Sequence, residues 1–202
     1  MQDAAGAPLT SDAEIDAPAP EPSEGRSRLL GTVVGIAGVS FAADLTSKVW
    51  ALRTLTPGDP QPLIGDWIQL NLIRNSGAAF SIGDGVTWVM TLIAVVITGV
   101  AVKAALRVRN LPWAVALGLL IGGSLGNLVD RFFREPGFLR GHVVDFIDYF
   151  GLFIGNVADI AIVVAAPIMA WLFLRGRLPE TAPSHPHDAH DEGVEDRETT
   201  HD

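Results

Sequence analysis

Four long apolar blocks dominate the middle of the chain, from about Leu29 to Trp50, Val86 to Leu106, Leu111 to Val129 and Ile154 to Leu174. Each is close to the ~20 residues that cross a ~30 Å hydrocarbon core at 1.5 Å per residue. A surface helix of that length in a soluble protein carries a polar stripe, and stretches such as LIAVVITGVAV carry none. The pattern predicts four transmembrane helices. Of the connectors, 107–110 is a tight turn, while 51–85 and 130–153 are long and hold runs such as DWIQLNLI and HVVDFI that read as strands. The expected fold class is a membrane all-α protein, four spans with a small β-containing extracytoplasmic cap. No internal repeat is visible.

Charge sharpens the boundaries. Residues 1–25 hold six acids and no base, and residues 178–202 hold eight acids and one Arg. With 23 acids and 14 bases in all, the middle keeps nine acids against thirteen bases, so the net −9 belongs to the tails. Both tails are rich in Pro, Ala and acid without an apolar face, a composition that cannot offset the entropy of ordering; they are expected to be disordered. The domain organisation is thus an acidic tail over 1–25, a membrane domain over 26–177 and an acidic tail over 178–202. The tail histidines His185, His187 and His190 read as solvated. The acidic balance argues against nucleic acid as a partner. The absence of Cys excludes thiol chemistry and Cys-ligated metal. The first block follows Arg26 and Arg28 and contains Ser40-Phe41-Ala42, as a cleaved signal would. However, a long acidic stretch precedes the arginines, whereas signal peptides open on their basic region, so the block is read as a retained span.

Seven Lys and Arg flank the spans on one side (Arg26, Arg28, Lys103, Arg107, Arg109, Arg175, Arg177) and six lie on the other (Lys48, Arg53, Arg74, Arg131, Arg134, Arg140). The first set hugs the helix ends, which places both termini in the cytoplasm. Parity is independent of that choice. The end of the first span, the end of the third, the start of the fourth and both long connectors share one membrane face. Asp44, Asn75, Asn127, Asp130, Arg131, Asp145, Asn156 and Asp159 can therefore meet there. Acids inside a span are costly and mark polar sites. Asn127 precedes Asp130 by three residues and Arg131 by four, and Asn156 precedes Asp159 by three, so each acid has an amide on its own helix face. Gly122, Gly123, Ser124 and Gly126 would let the third helix approach a neighbour closely. Gly77-Ala78-Ala79 would do so in the first connector.

Two approaching carboxylates share a proton and titrate as a pair. The charged one takes a proton from water as that water attacks an amide carbonyl, and the neutral one donates to the carbonyl oxygen or leaving amine. Structural readings compete at several positions. Asp130 beside Arg131 makes an equally good helix-end ion pair, Asp44 and Lys48 at i,i+4 make a structural pair, and Asp148 reads as a solvated surface acid. Asp159 sits in an apolar span with no cation adjacent in sequence. A Ser47–Lys48 protease is disfavoured because adjacent helix residues diverge, and a metalloprotease because the core has one histidine, His142, and no HExxH pair. Spacing favours Asp130 as the partner of Asp159, with Asp145 the alternative.

Five motifs in order resemble the bacterial lipoprotein signal peptidases (signal peptidase II). They are Asp44-Leu45-Thr46-Ser47-Lys48, the block Asn71 to Phe80 (NLIRNSGAAF), Gly122 to Arg131 (GGSLGNLVDR), His142-Val143-Val144-Asp145-Phe146 and Asn156-Val157-Ala158-Asp159. The resemblance implies an intramembrane aspartyl endopeptidase with Asp145 and Asp159 catalytic. Its substrate would be a diacylglyceryl-modified prolipoprotein, cut before the lipidated cysteine. Asp44, Lys48, Asn75, Gly77, Asn127, Asp130, Arg131 and Asn156 would bind substrate or support the dyad. No metal or other cofactor is expected, and the chain is expected to act as a monomer in contact with membrane lipid in the inner membrane, its site near the extracytoplasmic face. Where the family commonly has Phe before N-x-A-D this chain has Gly155, Ile160 follows the Asp, and 14 residues separate Asp145 from Asp159. The alternative is a non-enzymatic four-span carrier or assembly factor using Asp44, Asp130 and Asp159 as an ion site.

Overall fold

The structure, a computed structural model, describes residues 22–77 and 87–180. The expected disordered tails lie, over residues 1–21 and 181–202, outside the described residues, as do the tail histidines and Ala78, Ala79 and Phe80. Four helices carry the apolar blocks: α1 (Pro22–Thr54), α2 (Thr87–Ala105), α3 (Leu111–Phe133) and α4 (Val157–Leu174). All four are long and apolar enough to cross a membrane. They are joined by four short strands, β1 (Gln61–Ile64), β2 (Ile68–Asn75), β3 (Val143–Tyr149) and β4 (Phe153–Gly155), in one antiparallel sheet of order β1-β2-β3-β4.

Helix α3 is the centre of the bundle. Of its most apolar 18-residue window 61% is buried, against 22% in each of the other three. Glycine makes this possible. Gly118, Gly122 and Gly126 recur every fourth residue and turn one edge of α3 to α1. A Cβ at Gly122 would lie 2.5 Å from the Ala37 carbonyl oxygen and 2.7 Å from Ser40 Cβ, and one at Gly126 would strike the Asp44 carboxylate. Gly123 faces the other way, where a Cβ would sit 2.6 Å from the Ala158 carbonyl oxygen of α4. Backbones brought this close gain van der Waals contact that apolar lipid cannot compete away. The turn before α3 is fixed by Asn110, whose side chain accepts from the Trp113 N–H at 3.1 Å, with Pro112 in the first turn.

The two strand-like runs read from the sequence are β2 and β3, paired so that Ile73 faces Asp145 and Asn75 faces Val143. Period-2 alternation then divides β3. Val144 and Phe146 pack with Ala51 and Leu55 of the α1 end and with Leu72 of β2, which turns Asp145 to the opposite face. Three helices have boundaries that differ from the reading. Helix α1 runs from Pro22 to Thr54 rather than from about Leu29 to Trp50, so residues 22–25 of the expected disordered tail are helical. Helix α3 continues to Phe133, so Asp130 and Arg131 lie within it, not beyond its end. Helix α4 starts at Val157 and not at Ile154, because Phe153–Gly155 pair with Ile147–Tyr149 as β4. Strand β1 holds a Pro and β4 has three residues, too little for alternation to show.

Candidate active site

Parity of the spans placed eight polar residues on one face, and the structure brings all eight together. They form two linked groups. The first is a closed ion cluster. Lys48 lies 2.7 Å from Asp44 Oδ2 and 3.0 Å from Asp130 Oδ2, and all three side chains are fully buried. Asp44 Oδ1 accepts from the Ala158 N–H at 2.9 Å, in the first turn of α4, where the helix dipole also favours an anion. Asp130 has a second cation, Arg134 one turn on, and its Oδ2 accepts from the Val144 N–H at 3.1 Å. The Asp44–Lys48 pair is thus borne out. The Asp130–Arg131 pair is not, since Asp130 turns to Lys48 and Arg134. Sequence reasoning missed Arg134 because the third span was ended at Val129; the i,i+4 spacing from Asp130 was the available signal.

The second group surrounds Asp145 and Asp159. Asp145 Oδ2 accepts from Asn75 Nδ2 at 2.8 Å and Oδ1 from Asn156 Nδ2 at 2.6 Å. Asn156 ends the sheet and caps α4. Its Oδ1 accepts from the Asp159 N–H at 3.1 Å, and Asp159 Oδ2 accepts from the Asn156 N–H at 3.0 Å, a reciprocal capping box. The remaining oxygen, Asp159 Oδ1, accepts from Asn127 Nδ2 at 2.9 Å. Of the two amide–acid pairs that spacing suggested, Asn156 with Asp159 is borne out by the capping box, and its side chain serves Asp145 as well; Asn127 serves Asp159 rather than Asp130. Lys48 joins the groups by donating to Asn127 Oδ1 at 2.9 Å, which aims the amide nitrogen of Asn127 at Asp159.

Arg131 and Gly77 act on the frame. Arg131 Nη1 donates to the carbonyl oxygens of Asn75 at 3.2 Å and Gly141 at 3.0 Å, tying the end of β2 and the approach to β3 onto α3. Gly77 donates its N–H to Asn75 Oδ1 at 2.7 Å, which orients the Asn75 amide toward Asp145. At φ +82°, with Arg131 Nη2 only 2.8 Å from where a Cβ would be, that position takes Gly alone. Ser47 bonds its own helix at the Asp44 carbonyl, and Lys48 is held by the acids.

Electrostatics separates the two aspartates. Asp145 is 1% exposed. Burial pushes its pKa up to about 6, with the charge of Asp159 adding to the rise and the Asn75 and Asn156 amides opposing it. Asp159 is half-buried, so water can reach it. Two neighbours of Asp159 were not foreseen. Tyr149, whose hydroxyl pKa is raised by burial and by Asp159, stacks on Phe153. A Cβ at Gly155 would lie 2.8 Å from Asp159 Oδ2 and 2.7 Å from the Phe153 ring. Asp148 corrects the reading of a solvated acid. It is 7% exposed, its Oδ1 accepts from the Gly151 N–H at 2.9 Å, and Asn71 lies 3.4 Å from Oδ2, so it fastens the β3–β4 turn.

Comparison with known proteins places the chain in a family. The family model for signal peptidase (SPase) II matches residues 36–175. The chain is 47% identical over 161 residues to a lipoprotein signal peptidase of Rhodococcus jostii, covering 80% of each chain. It is 49% identical over 172 residues to that of Mycolicibacterium smegmatis, covering 84% of this chain and 70% of the relative. Among solved structures, a bacterial membrane enzyme determined at 1.9 Å resolution by the in meso method superposes with a TM-score of 0.64 at 30% identity, over 72% of this chain and 94% of that one. With four membrane-span-capable helices and a matched core of 140 residues (36 to 175), the chain belongs to the signal peptidase II family of bacterial membrane proteases.

Proposed function

We propose that the chain cleaves signal peptides from prolipoproteins by an aspartyl mechanism in which Asp145 and Asp159 share one proton and activate one water. The observation that carries this is the position of Asn156, which touches both acids at once: its amide donates to Asp145 while its carbonyl oxygen and backbone N–H close the capping box with Asp159. The competing acid, Asp130, is fully buried and matched in charge by Lys48 and Arg134, which disfavours it as the base that activates water. Asp159, reachable and held by one amide and one backbone N–H, takes the proton of the attacking water. Asp145, with a pKa of about 6, carries the shared proton at a cost of about 1.4 kcal/mol at pH 7 and donates it to the scissile carbonyl oxygen or leaving amine. Asn75, Asn127 and Asn156 are positioning residues that keep both carboxylates aimed.

The substrate is a prolipoprotein already carrying diacylglycerol, cut before its lipidated cysteine. The enzyme works as a monomer with both termini in the cytoplasm and the dyad near the extracytoplasmic face, in contact with lipid. The resemblance in motifs and the basic residues at the opposite helix ends support these readings. A carrier would need Asp44, Asp130 and Asp159 open to a common polar path, and Asp44 and Asp130 are fully buried and already paired with Lys48.

The test is processing of a diacylglyceryl prolipoprotein in proteoliposomes. Asp145→Asn and Asp159→Asn should each lower kcat by at least roughly 10²-fold, the low end for losing a general acid or base, while the protein still purifies as a folded species. Processing at the unsubstituted rate by either variant removes that residue from the dyad.

A further inference from the structure

Helices α1 and α2 both pack on α3 and make at most marginal contact with one another. The gap is an almost wholly apolar groove of about 370 Å³, walled by Val34, Gly38 and Phe41 of α1 and by Val102 and Leu106 at the end of α2, with Ile121 of α3 as its floor. The wall from Leu30 to Phe41 spans eleven steps of 1.5 Å, about 17 Å, or half of a ~30 Å hydrocarbon core. At its outer end, on the membrane face opposite the aspartates, lies a polar cavity of about 390 Å³ lined by Arg26, Arg107, Arg109 and Glu180. Arg26 donates to the Leu106 carbonyl oxygen at 2.6 Å, so the two cavities share a wall. Arg107 pairs loosely with Glu180, at 3.3 Å and mostly exposed. Three guanidiniums against one carboxylate leave a surplus of two positive charges beside a groove one leaflet deep.

We infer that this paired cavity binds one anionic phospholipid, with an acyl chain in the α1–α2 groove and the phosphate among Arg26, Arg107 and Arg109. Two other occupants fit less well. The leader of a signal peptide is cationic at its start and is repelled by the surplus charge. Residues 181–202 carry seven acids, but their one large aliphatic residue is Val194, so they could meet the arginines and leave the groove empty. The site is independent of the dyad. Its occupant is recognised by charge at one end and chain length at the other, the combination that basic pockets beside transmembrane helices offer to acidic headgroups.

The experiment is native mass spectrometry of the full chain in neutral detergent with equal amounts of a phosphatidylglycerol and a phosphatidylcholine of identical acyl chains. The unsubstituted protein should retain one phosphatidylglycerol per chain in clear preference to phosphatidylcholine. Arg107→Gln with Arg109→Gln should weaken that retention about 30-fold, at roughly fivefold per charge. Gly38→Phe places a ring in the groove from a position where nothing lies within 4 Å of a Cβ, so the substitution is accommodated without a clash at its root. It should abolish retention of the lipid while melting as the unsubstituted chain does. Equal retention of the two lipids, or none, overturns the inference; the latter is what a tail seated on the arginines would give. Unchanged retention by Gly38→Phe overturns it too, because the charge would then act without the groove.

Discussion

Replacing Lys48 by Met removes the one cation paired with Asp44 among the described residues. Both side chains are fully buried, and the ammonium stands 2.7 Å from Asp44 and 3.0 Å from Asp130. The losses are unequal. Asp130 keeps Arg134 and the Val144 N–H, while Asp44 keeps only the Ala158 N–H. Breaking a buried pair by removing one partner costs about 3–5 kcal/mol, most of it for the charge left behind. The main deficit should therefore sit at Asp44. Neutralising that acid as well, in Lys48→Met with Asp44→Asn, leaves an oxygen for Ala158 and should recover at least half of the loss. Asp44→Asn alone should not stabilise, because its amide nitrogen would face the ammonium. Thermal unfolding of the four proteins in one detergent forms a double-mutant cycle. Lys48→Met should lower Tm by about 10 °C, at roughly 2–4 °C per kcal/mol for a chain of this size, with a coupling of about 2 kcal/mol or more between the sites. A Tm within 2 °C of the unsubstituted protein, or additive effects, would refute the reasoning that the cluster exists to neutralise Asp44. Any Lys48→Met protein that remains folded should also show reduced kcat, since Asn127 loses the donor that aims its amide at Asp159.

Asn75→Ala removes an N–H that stabilises the charged form of Asp145. The alkaline limb of log kcat/KM, expected near pH 6 because the proton on Asp145 is needed, should move to higher pH; a shift to lower pH or none would separate that limb from Asp145. The same raised pKa has a stability consequence. Folded Asp145 holds its proton up to about pH 6 against 3.8 for the unfolded chain, so the native state binds more protons in that window and stability should fall by roughly 2 kcal/mol as pH rises from 4 to 6. Urea or thermal melts across that range check the sign, which is opposite to that of a salt-bridged carboxylate. Gly122→Val places a side chain against the Ala37 carbonyl and Ser40 and should destabilise by about 1–3 kcal/mol, read as a lower Tm, whereas Gly99→Val, with open space around it, should leave Tm nearly unchanged. Gly155→Ala crowds Asp159 Oδ2 and the Phe153 ring and should lower kcat more than it lowers Tm, measured side by side.

The four spans and the face on which the polar residues gather were determined by the sequence alone. Hydrocarbon tolerates no unpaired backbone, so long uncharged blocks have one structural outcome, and parity then decides which ends are neighbours. The strand character of DWIQLNLI and HVVDFI was legible for the same local reason, alternation against a half-buried surface. Pairing of the polar side chains was legible only within one helix, as for Asp44 with Lys48 and Asn156 with Asp159. Spacing along a helix reports neighbours on that helix, yet Asn127 crosses to Asp159, Asn156 crosses to Asp145, and Lys48 of α1 joins Asp130 of α3. Those partners depend on how closely α1 and α4 approach α3, which the glycines at 122, 123 and 126 permit but whose azimuth only the packed bundle fixes. The choice between Asp130 and Asp145 shows the limit. From spacing, Asp130 was the better placed. The tertiary structure gave Asp130 two cations and a backbone N–H, and gave Asp145 burial, two neutral amides and Asp159 for a neighbour. A carboxylate matched by charge is inert, and one held only by neutral donors beside another acid keeps a proton within reach of neutral pH. Apart from Arg134, the partners that make this difference lie 11 to 82 positions away in the chain, which is why only the fold could bring them to either acid.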